Sequence, residues 1–381
     1  MLFSASFHIN GGFFIVCSMK VCVYAIAKNE EKFVRRWLDS MKEADGIYVL
    51  DTGSNDDTVR LLKEGGAVVE SEVFRPFRFD SARNASLKMV PEDADLCVCT
   101  DIDEVFAPGW RKGLEDAAKT GAEQIYYRYT WNYNPDGSEG HVFWTGKAHV
   151  RRGFEWRHPV HEVLYTMDGH ESRKTYAKGV FLKHLADPSK SRAQYLPLLE
   201  LSVREQPEND RNSHYLGREY FFHGRYDEAI AELKRHLSLD SSVWKDERAA
   251  SMRYISRCYL IKGDMKESES WILRAVAEAG YLREPWVDAA CLYVREKRWH
   301  GAAFCALRAL EITRRSMSYI NEPAAWGYSP YDCLAVSLYY LGDLRGSLEN
   351  ARKAAELDKT NPRLRDNLNL IQAAYDAAKK E

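Results

Sequence analysis

Asp101 and Asp103, in "LCVCTDIDEVF" (residues 96 to 106), stand where an apolar run of strand type breaks into acid. Side chains two apart on an extended segment point the same way. Two hard carboxylates on one side can hold Mn2+ or Mg2+ directly or through water, leaving coordination places for a diphosphate. The plain alternative is a solvated loop, and a chain of this length holds about one Asp-x-Asp triplet by chance. Position adds weight. Asp51 opens "DTGSNDDT" at the end of another apolar run, ahead of a tight turn and a helix amino terminus whose free N–H groups suit an anion or a polar ring edge. An aspartate there can accept hydrogen bonds from a base imide or from ribose hydroxyls. Arg83, in "FDSARNASL", lies near the start of the helix feeding the run before Asp101. Its guanidinium can reach a diphosphate beside the metal, unless it is a simple surface arginine.

Alternating strands and helices must position these side chains. "KVCVYAIA" (20 to 27) reads as a strand buried on both faces. Asn29 is expected to cap the next helix, with Glu30 and Glu31 at its positive end and Phe33, Val34, Trp37, Leu38 and Met41 as its apolar stripe. "GIYVL" gives a second strand, "NDDTVRLLKE" a helix closed by Gly65 and Gly66, "AVVESEV" a third strand, "DSARNASLKMV" a helix and "ADLCVC" a fourth strand. This order predicts a parallel, doubly wound α/β sheet, whose ligands bind at the carboxyl ends of the strands. A helix over 110–119, an aromatic hairpin from "EQIYYRYTWNY" to "HVFWTGKAHVRR", turned at Pro135-Asp136-Gly137, and a last strand ending at His184 complete the unit.

From Ser191 onward only helices are expected, and the text repeats. "GRYDEAIAEL", "GDMKESESWI", "KRWHGAAFCAL" and "GDLRGSLENA" each begin the second helix of a helical hairpin, at a spacing close to that of tetratricopeptide repeats. Such arrays serve as structural or dimerising modules, or as surfaces for a partner or acceptor.

The 381 residues, 45% hydrophobic, suit two domains. With 54 basic against 56 acidic residues and no long run of like charge, electrostatics alone imply neither nucleic acid nor membrane. Eight scattered cysteines, without a C-x-x-C pair, read as reduced thiols, and Cys97 and Cys99 as core packing. Residues 1–18 lack the basic start of a secretion signal and are expected to be an upstream start or a loose arm, and the protein cytoplasmic.

"AIAKNEE", "VLDTGSNDDT", "ARNASL" and "TDIDE" follow one another in the order and spacing of the family-two glycosyltransferases of GT-A fold, which residues 20 to about 185 resemble closely. With the helical tail, the chain resembles a bacterial subgroup that includes peptide S-glycosyltransferases. That resemblance implies an inverting sugar transfer from a nucleoside diphosphate sugar, usually a UDP-sugar, helped by Mn2+ or Mg2+. It also implies that Asp51 contacts the base or ribose, Arg83 the phosphates, and Asp101 and Asp103 the ribose and metal, with Ala27 and Ile102 in the donor pocket. One departure matters: no acidic pair follows the hairpin. "WRHPVHEVLY" occupies that place, so Glu162, or His161 beside it, is the candidate base that takes the acceptor proton. His184 is expected either to complete the metal shell or to be structural, and Trp131, Tyr133, Trp144 and Trp156 either to stack on a sugar or to pack a core.

The expected organisation is therefore an extension (1–18), a Rossmann-like GT-A domain (19–188) and a tetratricopeptide-like domain (189–381). A non-catalytic scaffold that binds nucleotide sugars, or a nucleotidyltransferase, are the alternatives, although no basic Gly-rich triphosphate loop follows the first strand. The acceptor stays open between peptide or protein, glycan, lipid-linked sugar and modified nucleic-acid base, and a homodimer through the repeats is a further expectation.

Overall fold

The computed structural model describes residues 19–134, 136–187 and 194–379, so the expected extension and the expected boundary at 188 lie outside the described residues. Strand β1 (Val21–Ala27) runs through the middle of the first unit. Its side chains alternate between two cores. Val21, Val23 and Ala25 pack with Val34, Trp37 and Met41 of helix α1 (Glu31–Met41), while Cys22 and Tyr24 face the opposite side. Burying each of the three α1 side chains contributes about 1.5–3 kcal/mol. Asn29 does not cap α1. It takes a left-handed φ of 55°, and its Oδ1 accepts from the Asn55 N–H at 2.8 Å, tying two loops together instead.

Next come β2 (Gly46–Asp51), α2 (Thr58–Glu64), β3 (Val68–Ser71), α3 (Phe79–Met89) and β4 (Leu96–Asp101). After the short β5 (Glu104–Phe106), α4 (Trp110–Ala118) leads to β6 (Gln124–Thr130) and β7 (Val142–Val150), the expected hairpin. A second hairpin, β8 (Phe154–Arg157) with β9 (Val163–Thr166), precedes β10 (Lys174–His184). The main sheet is ordered β3-β2-β1-β4-β7-β6-β10-β5.

That sheet is mixed rather than all parallel. Strands β3, β2, β1 and β4 are parallel, whereas β7 pairs antiparallel with both β4 and β6. Only two residues separate β4 from β5, although β7, β6 and β10 lie between them in the sheet. The sheet must therefore curl, and the Leu185 N–H to Asp103 carbonyl bond (2.9 Å) ties the end of β10 to the β4–β5 turn. Helices α1, α2 and α4 cover one face; the other is covered by α3 and the β8–β9 hairpin, whose Phe154 and Trp156 pack with Leu87, Cys97 and Cys99. Both thiols are buried as expected, and burial pushes them up to about 12 for Cys97 and about 11 for Cys99, far from a reactive range.

Beyond α5 (Tyr195–Glu205), helices pair as hairpins: α6 (Asp210–Phe222) with α7 (Tyr226–Ser238), α8 (Lys245–Ile261) with α9 (Met265–Ala279), and α10 (Arg283–Arg295) with α11 (Trp299–Glu311). The short α12 (Pro323–Trp326) precedes the pair α13 (Ser329–Tyr340) and α14 (Leu344–Leu357), and α15 (Pro362–Ala378) packs on α14. These tetratricopeptide-like hairpins turn on a left-handed residue. Gly224, Gly263 and Gly342 supply it in three, and Lys297 takes the same conformation (φ 59°) in the fourth. Small residues let the paired helices approach, and a Cβ on Gly217 would lie 2.5 Å from Leu233 Cγ.

The helices dock on the sheet unit at two places. Val160 of the second hairpin packs with Leu198, Leu199, Tyr215 and Leu216 of α5 and α6. Further along, Trp144 N–H donates to the Met317 carbonyl and Asn321 Nδ2 to the Val142 carbonyl.

Candidate active site

Asp51, Ala27 and Asp101 come from adjacent strands. Ala27 pairs with Asp51 across β1–β2, and Ile26 with Asp101 across β1–β4, so all three stand at the carboxyl edge. Ala27 acts through its backbone, its carbonyl accepting from Thr52 N (2.8 Å) and Thr52 Oγ1 (3.1 Å). The Asp51 carboxylate is buried and accepts from the N–H groups of Gly53 and Ser54 at 3.1 Å. It thus orders the turn after β2, leaving acceptor capacity on both oxygens. Ser54 Oγ accepts from Asn29 N, and Thr58 Oγ1 from Glu30 N, so the two edge loops are braced against each other. Ile102 is buried in the core beneath the Asp101–Asp103 turn.

Arg83 is no surface arginine. It is 4% exposed and divides its nitrogens among three partners: Nε to Glu162 Oε1, one terminal nitrogen to Cys99 Sγ (3.2 Å) and the other to Asp101 Oδ1 (2.8 Å). Burial pulls its pKa down, but the charges of Asp101, Cys99 and Glu162 more than reverse this and push it up. Asp101 Oδ2 takes Lys147 Nζ at 3.1 Å, and Lys147 also binds the buried Glu104 at 2.8 Å. Burial raises the Asp101 carboxyl, yet Arg83 and Lys147 outweigh it and hold the group well below the usual carboxylate range. Burial pushes Glu104 the other way, up, against the pull of Lys147. Of these groups Asp101 keeps 34% of its side chain accessible, enough to meet a ligand.

Asp103 turns elsewhere. Its Oδ2 lies 3.4 Å from His184 Nε2, at the end of β10. His184 Nδ1 sits 2.9 Å from the Trp131 carbonyl, which can only accept, so Nδ1 carries a hydrogen and Nε2 of the neutral ring offers a lone pair toward the carboxylate. Burial lowers the His184 pKa, but Asp103 lifts it above its ordinary value. Two lone-pair donors facing one another call for a cation between them, either a proton or a metal ion. Donors each about 2.1 Å from one ion at right angles stand about 3 Å apart, so the pair fits a divalent cation. The expected third ligand, Asp101, is engaged instead by Arg83 and Lys147. In the helical array a separate trio, Asp210, His236 and Glu247, brings ligand atoms within 4.8 Å of one another; there His236 already bonds Ser242 and Ser251, and Glu247 bonds Tyr319.

Glu162 and His161 lie on the β8–β9 turn, where His158 (φ 84°) and His161 (φ 52°) both take left-handed conformations. The turn delivers Glu162 to Arg83 and so to the Asp101 cluster. It sends His161 the other way, stacked at 4.0 Å on the Tyr215 ring of α6. Among the aromatics, Trp156 is core, bonded through Nε1 to Tyr24, whereas Trp131 is 39% exposed with its ring 4.6 Å from His184. Lys147 was not singled out from the sequence, although a lone lysine inside an aromatic β-run is a signal that a buried charge awaits a partner.

Residues 22–169 match the family model described as glycosyl transferase family 2. A comparison with curated proteins found no match. Solved structures similar to this chain are tetratricopeptide-type proteins that match the helical region. The structure described as YrrB, a TPR protein with an unusual peptide-binding site, is 16% identical, with a TM-score of 0.37 over 47% of this chain and 84% of its own. The APC/C hetero-tetramer Cut9-Hcn1 is 9% identical, TM-score 0.41, over 48% of this chain and 33% of its own. Yeast Tom70 is 13% identical, TM-score 0.38, over 51% and 38%. Residues 22–169, built on the curled mixed sheet, are thus similar to glycosyl transferase family 2, and helical hairpins follow them along the chain.

Proposed function

We propose that the protein is a metal-dependent inverting glycosyltransferase that moves a hexose from a nucleoside diphosphate sugar, a UDP-sugar first among them, to an acceptor delivered by the helical array. One observation carries the reading: Asp51 and Asp101 end the two strands that flank β1 at its carboxyl edge, with Asp103 two residues beyond Asp101, inside the family-matched segment. In this reading residues 19–188 form the transferase domain and 189–381 the acceptor-facing domain, which also offers a surface for a homodimer. No described helix is long and apolar enough to cross a membrane, which is consistent with work in the cytoplasm.

Asp51 accepts hydrogen bonds from the base or ribose, and Asp101 from ribose hydroxyls. Asp103 and His184 would hold Mn2+ or Mg2+, which neutralises the departing diphosphate. Arg83 adds positive charge beside Asp101. Glu162 takes the proton of the acceptor O–H or S–H as that atom bonds the anomeric carbon and the carbon–oxygen bond to the diphosphate breaks on the opposite face. His161 orders the turn that presents Glu162.

Incubation with a panel of nucleotide sugars and Mn2+, read by mass spectrometry, tests this. Release of a nucleoside diphosphate together with a hexose mass gain on an acceptor supports it. Turnover only of nucleoside triphosphates, with pyrophosphate release, assigns a nucleotidyltransferase instead. No turnover of any donor, with nucleotide sugar still bound, assigns a scaffold.

A further inference from the structure

The contact between the sheet unit and helix α6 holds three arginines that make no ion pair with a carboxylate among the described residues. Arg211 and Arg218 both lie over the ring of Tyr215, at 4.7 and 4.4 Å. Arg211 donates to the His161 carbonyl at 2.6 Å and makes a long contact with the Tyr215 hydroxyl at 3.4 Å. Arg218 Nε is buried with no hydrogen-bond partner. Arg315, across the docking contact, bonds only the amide oxygen of Asn321. Among the described residues, none of these three arginines forms an ion pair with a carboxylate. Glu247, whose charge acts on Arg211 and Arg218 from a distance, accepts its hydrogen bond from the Tyr319 hydroxyl at 2.7 Å instead.

Other arginines of the same array show what a satisfied site looks like. Arg253 and Arg257 share Asp288 and Glu322, at 2.7 to 3.0 Å. A guanidinium withdrawn from water normally finds such an oxyanion, because desolvating an unpaired charge is costly. The position of the unpaired pair is telling. His161, whose ring stacks on Tyr215, immediately precedes Glu162, the proposed base, so the arginines stand behind the turn that carries it. Arg211 and Arg218 are also seven residues apart on one helix, two turns along the same face, and their guanidinium carbons, 4.7 and 4.4 Å from one ring centroid, are at most about 9 Å apart. Carboxylates two residues apart on an extended peptide, about 7 Å, fit within that span.

We propose that Arg211 and Arg218 form an oxyanion subsite on the acceptor side of the transfer centre, and that its occupant is an acidic stretch of a polypeptide acceptor. The buried Tyr215 ring holds the two guanidiniums in place from beneath, and the arginine forks bind the carboxylates. This rests on the transferase reading for the role of the site, but the binding can be measured without turnover.

The test uses the full chain and a fluorescein-labelled hexaglutamate peptide, followed by anisotropy at physiological salt, with UDP plus Mn2+ titrated in parallel. Arg218→Gln should weaken the peptide roughly tenfold, with UDP affinity and melting temperature unchanged; Arg218→Lys should lose less, and Arg345→Gln, on an exposed remote helix, nothing. Arg218 makes no hydrogen bond among the described residues, so a folding defect is not expected to confuse the result. Equal peptide affinity in wild type and Arg218→Gln overturns the proposal. So does a parallel loss of UDP affinity, which would make the arginines donor-phosphate ligands, or displacement by inorganic phosphate of a site that ignores the peptide. Failure of UDP to bind the wild type would sink the transferase reading while leaving the peptide result standing.

Discussion

Replacing Arg83 by lysine keeps the positive charge and removes the fork. In the wild type separate nitrogens of one buried guanidinium meet Glu162, Cys99 and Asp101. A lysine presents a single nitrogen, which cannot stand at both ends of that fork to meet Glu162 and Asp101 at once. Asp101 retains Lys147 in any case, so the group left without a cation is Glu162, whose side chain is 10% exposed. Breaking a buried pair by removing one partner costs about 3–5 kcal/mol. Because the substituted ammonium would still serve one side, about half of that, roughly 2 kcal/mol, is expected for Arg83→Lys, and about 4 kcal/mol for Arg83→Met. With a urea m-value of about 2 kcal/mol/M, these correspond to midpoint shifts of roughly 1 and 2 M. The added change Glu162→Gln should recover part of the Arg83→Met loss, since it removes the orphaned charge, giving a favourable coupling in the double-mutant cycle. Urea titration followed by tryptophan fluorescence measures all the variants against wild type. An Arg83→Lys protein with the wild-type midpoint, or an Arg83→Met/Glu162→Gln cycle with no coupling, would refute the idea that the fork joins the β8–β9 turn to the metal edge.

Two further outcomes follow from buried groups elsewhere. His149 is fully buried; its Nδ1 faces the Val150 carbonyl and its Nε2 the Tyr24 hydroxyl, so the neutral ring is satisfied. Burial depresses its pKa to about 4 from an ordinary 6.5. The unfolded chain binds more protons between those values, so stability is full above about pH 6.5 and falls as pH drops toward 4, by about 3 kcal/mol from this residue. Urea midpoints at about pH 7 and about pH 5 should differ less for His149→Gln than for wild type; an identical difference contradicts the assignment. Gly217→Ala should destabilise by about 1–3 kcal/mol, because the new methyl group meets Leu233 Cγ at 2.5 Å and α7 must move. A thermal midpoint matching wild type would show that the α6–α7 contact can relax.

The strands that carry the candidate site were legible because β1, β2 and β4 are continuous apolar runs ending in Ala27, Asp51 and Asp101. The helical hairpins were legible because glycines close the first helix of three of them and the same text recurs at Lys297 in the fourth. What escaped was structure decided by distant partners. β5 begins with a carboxylate and is only three residues long; it exists because β10 pairs with it and Lys147 meets Glu104. The β8–β9 hairpin turns on two histidines in conformations where glycine is the usual signal, so nothing in "WRHPVHEVLY" marks a turn between two strands. Asn29 has the composition of a helix cap, but the Asn55 N–H competes successfully for its side chain. Asp51 was read as a ligand group, and the structure adds that the same carboxylate orders its own turn.

The most direct measurement is calorimetric titration of UDP into the full chain with and without Mn2+, repeated with Asp103→Ala. The account expects saturable, Mn2+-enhanced binding in the wild type and loss of the Mn2+ enhancement in the variant, with the melting temperature retained. Equal Mn2+-enhanced binding in both proteins would contradict the placement of the ion between Asp103 and His184.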